Sequence, residues 1–294
     1  MAKVVIVGMG AMGSVYASLM QDAGHEVHGV SLFEDHVAAV RAHGLRVHGA
    51  SGDRTVHLAS VSTTIDGLGT ADLVVIATKA FDVERAAHDA RPLVGSGTIV
   101  QSIQNGLGSA DRVAGVLGPE RLSVGVVGGF GALLPEPGVA HHNGMELVRF
   151  GSYGTLPAAE VARGAEVWST SGFDVRLFED IDRMVWEKFI MNVTFSRPAS
   201  LTGLTIGQIL DDPDAWPVAR ACALEAIAVA QARGVALEVG DPLEHIRHLG
   251  GTHPAPRPNT SGTSAEPSGT RAPRCSSTSS TGVGARSMRS TAPW

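Results

Sequence analysis

Apolar residues cluster at the start of the chain in KVVIVG, residues 3–8, a short run rich in β-branched side chains that ends at a glycine, the pattern of a buried strand. From Ala11 the apolar positions recur at helical spacing through AMGSVYASLMQDAG, which predicts a helix directly after a glycine turn. The alternation repeats with HEVHGVSL as strand, EDHVAAVRAHG as helix, ADLVVIATK as buried strand, DVERAAHDARPLV as helix and GTIVQSIQ as strand. Strands alternating with helices form βαβ units on a parallel sheet, because a parallel connection needs a crossover. LSVGVVGGFGALL and MELVRFG are predicted to add strands around a glycine-rich bend and close that sheet, and AAEVARGAEVWSTSG is the last α/β element, ending at Gly172.

Beyond residue 178 the periodicity is helical only. EDIDRMVWEKFIMNVTFS is predicted as one helix stopped by Pro198, and PVARACALEAIAVAQARG as another, amphipathic through Leu224, Ile227, Ala228 and Gln231 and ended by Gly234. From Gly251 to Trp294 the chain is mostly Ser, Thr, Gly and Pro, with Val283, Met288 and Trp294 as its large apolar side chains. Such a segment buries too little apolar surface to offset its ordering entropy and is expected to be disordered. The predicted fold class is α/β: a parallel-sheet domain over 1–178, then an all-helical domain over 179–250 that is incomplete, and a low-complexity tail over 251–294.

Composition narrows the function. With 44% hydrophobic and 18% charged residues, the 294-residue chain suits a globular protein of two ordinary domains. Its net charge of −6, with no basic block before the tail, argues against a nucleic-acid partner. Two cysteines, Cys222 and Cys275, are too few for a disulfide framework or a zinc cluster and fit a reducing cytoplasm. Glycines interrupt the N-terminal apolar run too soon for a signal peptide, and no stretch approaches the ~20 apolar residues of a membrane span. A cytoplasmic protein acting on a small molecule is the expectation. Of the 12 histidines, the adjacent His141 and His142 would point to opposite faces of a strand and make a poor metal chelate, and no other spacing resembles a ligand set; no metal is expected.

The chemistry begins at Gly8, Gly10 and Gly13, a G-x-G-x-x-G between the first strand and the first helix, with Ala11 and Met12 opening that helix. The first glycine permits a tight turn, the second lets backbone approach a pyrophosphate, and the third lets helix pack on strand, while the helix N-terminus offers N–H donors. Dinucleotide binding is the expected role. At the end of the second strand, where an acid would read a ribose 2′-hydroxyl, stands Ser31, with Glu34 and Asp35 further on; the missing acid tilts the site toward NADP. Lys79, at the end of the strand ADLVVIATK, is placed to supply the phosphate's counter-charge. On the later helix, Lys188, Asn192 and Ser196 recur every four residues and form a polar stripe beside Phe189, Ile190 and Val193. A lysine near the start of that helix would have its pKa depressed toward neutrality by desolvation and the positive end of the dipole.

GMGAMGS, TKAFD at 78–82, QNGLG at 104–108, WEKFIMN at 186–192 and LTG at 201–203 together, in this order, resemble the ketopantoate reductase (2-dehydropantoate 2-reductase) family over about residues 3–250. The resemblance implies a Rossmann-type domain followed by a helical substrate and dimerisation domain, with NADPH and a 2-keto acid meeting between them. It implies that Lys188 is the catalytic lysine, that Asn105 stands at cofactor and substrate, and that Asn192 binds substrate. Lys79 is implied near the adenosine 2′-phosphate. The family's second helix asparagine falls at Ser196, a departure that leaves a hydroxyl at the substrate, and the arginine many members place at the second strand is not evident. The expected reaction is NADPH-dependent reduction of 2-dehydropantoate to pantoate, in pantothenate biosynthesis, or of a closely related 2-keto acid, by a chain able to form a homodimer.

The resemblance stops near Gly250, short of the serine and glutamate that family members carry at the substrate on further helices. A one-base shift across Ala272–Cys275 can read Thr-Glu-Val, so a shifted reading frame is the expected origin of the tail. Two other readings stand beside the reductase: a β-hydroxyacid dehydrogenase, whose N-terminal loop resembles GMGAMG, and a truncated chain that binds cofactor without turnover.

Overall fold

In the computed structural model, residues 1–237 apart from 130, 145 and 146 are described, and they fall within one compact unit. The predicted tail and the last residues of the predicted helical domain lie outside the described residues. The chain begins β1 (Lys3–Val7), α1 (Ala11–Asp22), β2 (Glu26–Val30) and α2 (Glu34–His43). It continues through β3 (Leu45–Gly49), β4 (Arg54–Val56), β5 (Ser60–Ser62), β6 (Leu73–Ile76), α3 (Val83–Ala90), β7 (Ile99–Ser102), α4 (Ser109–Leu117) and β8 (Leu122–Val127). Then come β9 (Gly131–Glu136), β10 (Val139–Gly144), β11 (Leu147–Ser152), α5 (Ala158–Thr170) and β12 (Asp174–Leu177).

The main sheet has eight strands in the order β12-β11-β8-β7-β6-β1-β2-β5. From β5 to β8 all neighbours are parallel, as the βαβ pattern predicts. β11 runs antiparallel to β8 and parallel to β12, so the far edge is reversed. The predicted closing strands divide differently from expectation. LSVGVV and LVRFGS do join the main sheet, but β9 and β10, from the second half of LSVGVVGGFGALL and from VAHHNG, pair instead with β3 and β4 in a separate four-stranded sheet. β3, β4, β5, β10 and β12 were not predicted; each is three to six residues long, too short to show a clear period.

The two faces of the main sheet carry separate cores, as a doubly covered parallel sheet requires. One joins alternate residues Val4 and Ile6 of β1 to α1, α2 and α5, the other joins Val5 and Val7 to α3 and α4. Trp168 of α5 is fully buried among Tyr16, Phe150 and Phe173, with ring centroids 4.7, 5.3 and 4.9 Å away, and its Nε1 donates to Gln101 Oε1 at 2.6 Å. His36 of α2 ties the small sheet to this frame. Its Nδ1 accepts from the Gly138 N–H at 3.0 Å, which leaves Nε2 protonated to donate to Ser14 Oγ at 3.3 Å, and burial keeps its pKa below the usual histidine value.

The helical part contains α6 (Ile181–Met191), a π-helical turn (Asn192–Ser196), α7 (Arg197–Thr202), α8 (Ile206–Asp211) and α9 (Ala215–Ala232). Asp180 caps α6 by accepting from the Arg183 N–H at 3.0 Å. Pro198 does not stop the helix as predicted: the helical path continues to Thr202 and ends at Gly203, whose φ is +74°. A proline removes an i→i−4 hydrogen bond and crowds the carbonyl four residues back; a wider π turn just before it, and a place in the first turn of α7, relieve both. α6, the π turn, α8 and α9 share a core of Ile190, Phe195, Ile209, Leu210, Ala219, Ala223 and Ile227. Among the described residues, no helix is long and apolar enough to cross a membrane.

Candidate active site

The carboxyl ends of β1, β2, β6, β7 and β8 line one edge of the main sheet, where ligands of open α/β sheets bind. Between β1 and α1 the chain turns at Gly8, whose φ of +108° favours glycine; a Cβ there would lie 2.6 Å from the Thr78 backbone nitrogen. At Gly13 a Cβ would lie 2.2 Å from Gly8 O, so helix and turn meet only through a glycine. Gly10 is the contrast: nothing lies within 4 Å of its Cβ position. Gly8 and Met9 both donate backbone N–H to Val30 O at 2.9 Å, which fixes the turn to β2, and the first turn of α1, Ala11 and Met12 included, has no side-chain cap and no acid. Two close-packed glycines flank a third that faces open space at an uncapped helix N-terminus, and that arrangement fits a dinucleotide pyrophosphate.

The other predicted cofactor residues stand around this loop. Ser31 directly follows β2 and is 3% exposed; its Oγ accepts from the Phe33 N–H at 3.3 Å, so the hydroxyl shapes the turn. Glu34 and Asp35 are exposed in the first turn of α2. Lys79 is exposed in the loop after β6, and Asn105 is exposed in the loop after β7, between Gln104 and Gly106, which has a φ of +92°. Gln104, which the sequence reading passed over within QNGLG, joins these two loops: its Nε2 donates to Ile76 O at 2.7 Å and to Thr78 O at 3.2 Å, and its Oε1 accepts from Ser102 Oγ at 2.6 Å. Gly29 was also missed. A Cβ there would lie 1.8 Å from Sδ of the fully buried Met9, so this glycine on β2 makes room for the middle of the glycine loop.

Lys188 lies across the same edge, one strand beyond β7. It projects from α6, and its Nζ donates a hydrogen bond to Val127 O at the end of β8. Burial, and after it the like charge of Arg149 on β11, bring the ammonium pKa down to about 8. The helix dipole does not act as expected from sequence: Lys188 lies two turns into α6 and the helical path runs on to Thr202, so neither helix end is near it and desolvation lowers its pKa. Asn192 follows one turn later, half-buried, where the π turn begins. Ser196 is exposed at the other end of that turn. A π turn advances less per residue than an α-helix, so the four-residue spacing that put Ser196 on the stripe no longer sets its direction. Among the described residues, no three His, Cys, Asp or Glu side chains come together to hold a metal ion; His141 and His142 do face opposite ways, His142 fully buried and His141 Nδ1 3.0 Å from His48 Nδ1.

A glycine-loop sheet edge with a half-buried lysine across it fits an oxidoreductase built on a Rossmann-type dinucleotide fold. Residues 4–155 match the family described as ketopantoate reductase PanE/ApbA, and residues 180–262 match its C-terminal domain, twelve residues past the point where the motif resemblance stops. The chain belongs to the ketopantoate reductase family. A 2-dehydropantoate 2-reductase of Halobacterium salinarum is 32% identical over 235 residues, which cover 80% of this chain and 77% of the relative. The crystal structure of 2-dehydropantoate 2-reductase from Geobacter metallireducens superposes with a TM-score of 0.74 at 31% identity, covering 85% of this chain and 84% of that one. A ternary structure of D-mandelate dehydrogenase with NADH and anilino(oxo)acetate shares the fold, with a TM-score of 0.77 at 22% identity over 84% of this chain and 79% of that one.

Proposed function

We propose that the chain reduces 2-dehydropantoate to pantoate, with NADPH as reductant, in pantothenate biosynthesis in the cytoplasm. The observation that carries this reading is Lys188: a half-buried ammonium of lowered pKa at the cofactor edge of the sheet, in a chain whose relatives are 2-dehydropantoate 2-reductases. When bound, the reduced nicotinamide supplies the hydride. Lys188 Nζ holds the proton that the carbonyl oxygen of the substrate must receive, and its charge stabilises the alkoxide as it develops. Its bond to Val127 O aims the ammonium before substrate arrives. Asn105 and Asn192 supply neutral hydrogen bonds that orient the 2-keto acid, and Ser196 a hydroxyl at the end of the π turn. No nucleic acid, membrane or metal enters this reading, and a homodimer is compatible with it.

The preference for NADPH rests on charge. Ser31 brings no carboxylate to the end of β2, and Lys79 is an exposed cation in the loop after β6, on the other side of β1 at the same sheet edge. Titration of nicotinamide fluorescence is expected to show NADPH binding at least tenfold more tightly than NADH, with Lys79→Ala removing most of the difference; an exposed charge pair of this kind is worth about 1 kcal/mol or somewhat more against a phosphate. Equal affinities, or a preference for NADH, would remove the role of both residues.

The protonation state of Lys188 sets the pH dependence. The ammonium form is the competent one, so kcat/KM for the 2-keto acid at saturating cofactor should be level below about 8 and fall as pH rises through that value. A rate that instead climbs between pH 7 and 9 would show that Lys188 acts as a base or does not act. The reading as a whole is tested by following NADPH oxidation with a panel of 2-keto acids: 2-dehydropantoate should be the best substrate. Cofactor binding with no turnover of any of them is the outcome expected of a truncated chain.

A further inference from the structure

The strand that carries Arg149 reads as a sheet strand from its apolar neighbours, and a charge in its middle is out of place there. Arg149 is paired with Val126 of β8 on one side and Arg176 of β12 on the other, so the three side chains stand on one face of the sheet. That face carries α6. Val126 packs with Ile181, Met184 and Val185, and a Cβ on Gly151, two residues beyond Arg149, would lie 2.5 Å from Ile181 Cβ. At the cofactor end of β8 the guanidinium passes over Gly128: a Cβ there would lie 3.2 Å from Arg149 Nη1. Lys188 donates to the carbonyl of the residue before, Val127. An ammonium and a guanidinium therefore converge on one peptide, Val127–Gly128, at the edge where substrate is reduced.

A 2-keto acid carries its two oxygen functions on adjacent carbons: a carbonyl oxygen that takes a proton and a carboxylate that keeps its charge throughout. The ammonium, a compact proton donor, matches the first. The planar fork of a guanidinium matches the second bidentately. Building on the reductase reading, we propose that Arg149 is the specificity-determining residue that binds the substrate carboxylate, holding the keto carbon so that its oxygen falls to Lys188. The depressed Lys188 pKa is a second sign of the same proximity, since Arg149 contributes to it by like charge. An anion bound between the two cations offsets that repulsion, so substrate itself would restore the proton on Lys188.

The test is calorimetric binding of oxamate, an unreactive isostere of a 2-keto acid, to the full chain saturated with NADPH. Wild type should bind oxamate and bind its neutral methyl ester far more weakly. Arg149→Met should weaken oxamate by about 10²-fold or more, as loss of one partner of a desolvated charge pair does, with NADPH affinity within about threefold of wild type. Arg149→Lys should recover part of the loss, since it keeps the charge and loses the fork. Equal binding of oxamate and its ester by wild type, no binding of oxamate at all, or an unchanged oxamate affinity in Arg149→Met each overturns the proposal. If Arg149→Met does not fold, Arg149→Lys decides: an oxamate affinity equal to that of wild type in this variant would show that the guanidinium fork is not used, and overturns the proposal. Oxamate bound through Arg149 by a chain that reduces no 2-keto acid would leave the carboxylate site standing and the reductase reading refuted; turnover of 2-dehydropantoate with unchanged KM in Arg149→Met would do the reverse.

Discussion

Lys188→Ala is expected to lower the rate of 2-dehydropantoate reduction by about 10²–10⁴-fold, the usual cost of removing a positioned proton donor, and by more where its charge also stabilised the alkoxide. Single-turnover absorbance of pre-bound NADPH measures that step directly. Affinity for NADPH should change by less than about threefold, because the lysine is anchored on β8, away from the glycine loop that takes the pyrophosphate. Lys188→Arg separates the two jobs. Arginine keeps a positive charge but does not release a proton in proteins, so the variant should retain part of the electrostatic stabilisation and still be slow. A rate within a few-fold of wild type in Lys188→Ala would make this residue a half-buried lysine that packs and does nothing more.

The second large effect is expected at the glycine loop, where two substitutions of equal size should fail differently. In Gly13→Ala the new Cβ would sit 2.2 Å from Gly8 O and 3.1 Å from Gly8 C, both backbone atoms of the tight turn. The clash can be relieved only by moving α1 off β1, at a cost of about 1–3 kcal/mol or more, so the variant should melt several degrees lower and lose cofactor binding with it. Gly10→Ala meets no atom within 4 Å and its φ of −79° suits any residue, so the melting temperature should stay near that of wild type. Its methyl group nevertheless enters the open space that the pyrophosphate needs, and NADPH affinity should fall by about tenfold or more. Thermal unfolding beside cofactor titration distinguishes the pair. Equal effects of the two on stability would mean that the turn is not packed as described.

The glycine loop was legible in the sequence because its chemistry and its packing both act within a few residues. Gly8, Gly10 and Gly13 lie between one strand and one helix, and no distant residue is needed to explain them. The parallel core of the sheet was legible for a related reason, since β6 and residues 4–7 of β1 are buried on both faces and show as unbroken apolar runs. What could not be read was long-range. β9 and β10 look like any other strands, and only pairing with β3 puts them in a second sheet. Pro198 carries a strong stop signal that the π turn before it overrides, and nothing in NVTFS announces a wider turn. The same turn undoes the inference that Ser196 shares a stripe with Lys188. Lys188 itself was found for a sound reason, a charge in an apolar helical run, but with an unsound account of its pKa: its position in α6 depends on where Asp180 starts the helix, and its desolvation on β8 and β11. Arg149 offered the same kind of signal inside a strand and was not followed.

The central claim is that this chain moves a hydride from nicotinamide to the keto carbon of an acid. The measurement that meets it most directly is single-turnover reduction of 2-dehydropantoate with NADPH deuterated at nicotinamide C4, the product analysed by mass spectrometry and NMR. One deuterium bonded to carbon 2 of pantoate, from one face of the labelled cofactor and absent in Lys188→Ala over the same time, is the predicted result. Pantoate formed without deuterium from either face, or NADPH bound by wild type and left unoxidised in the presence of 2-dehydropantoate, would contradict it.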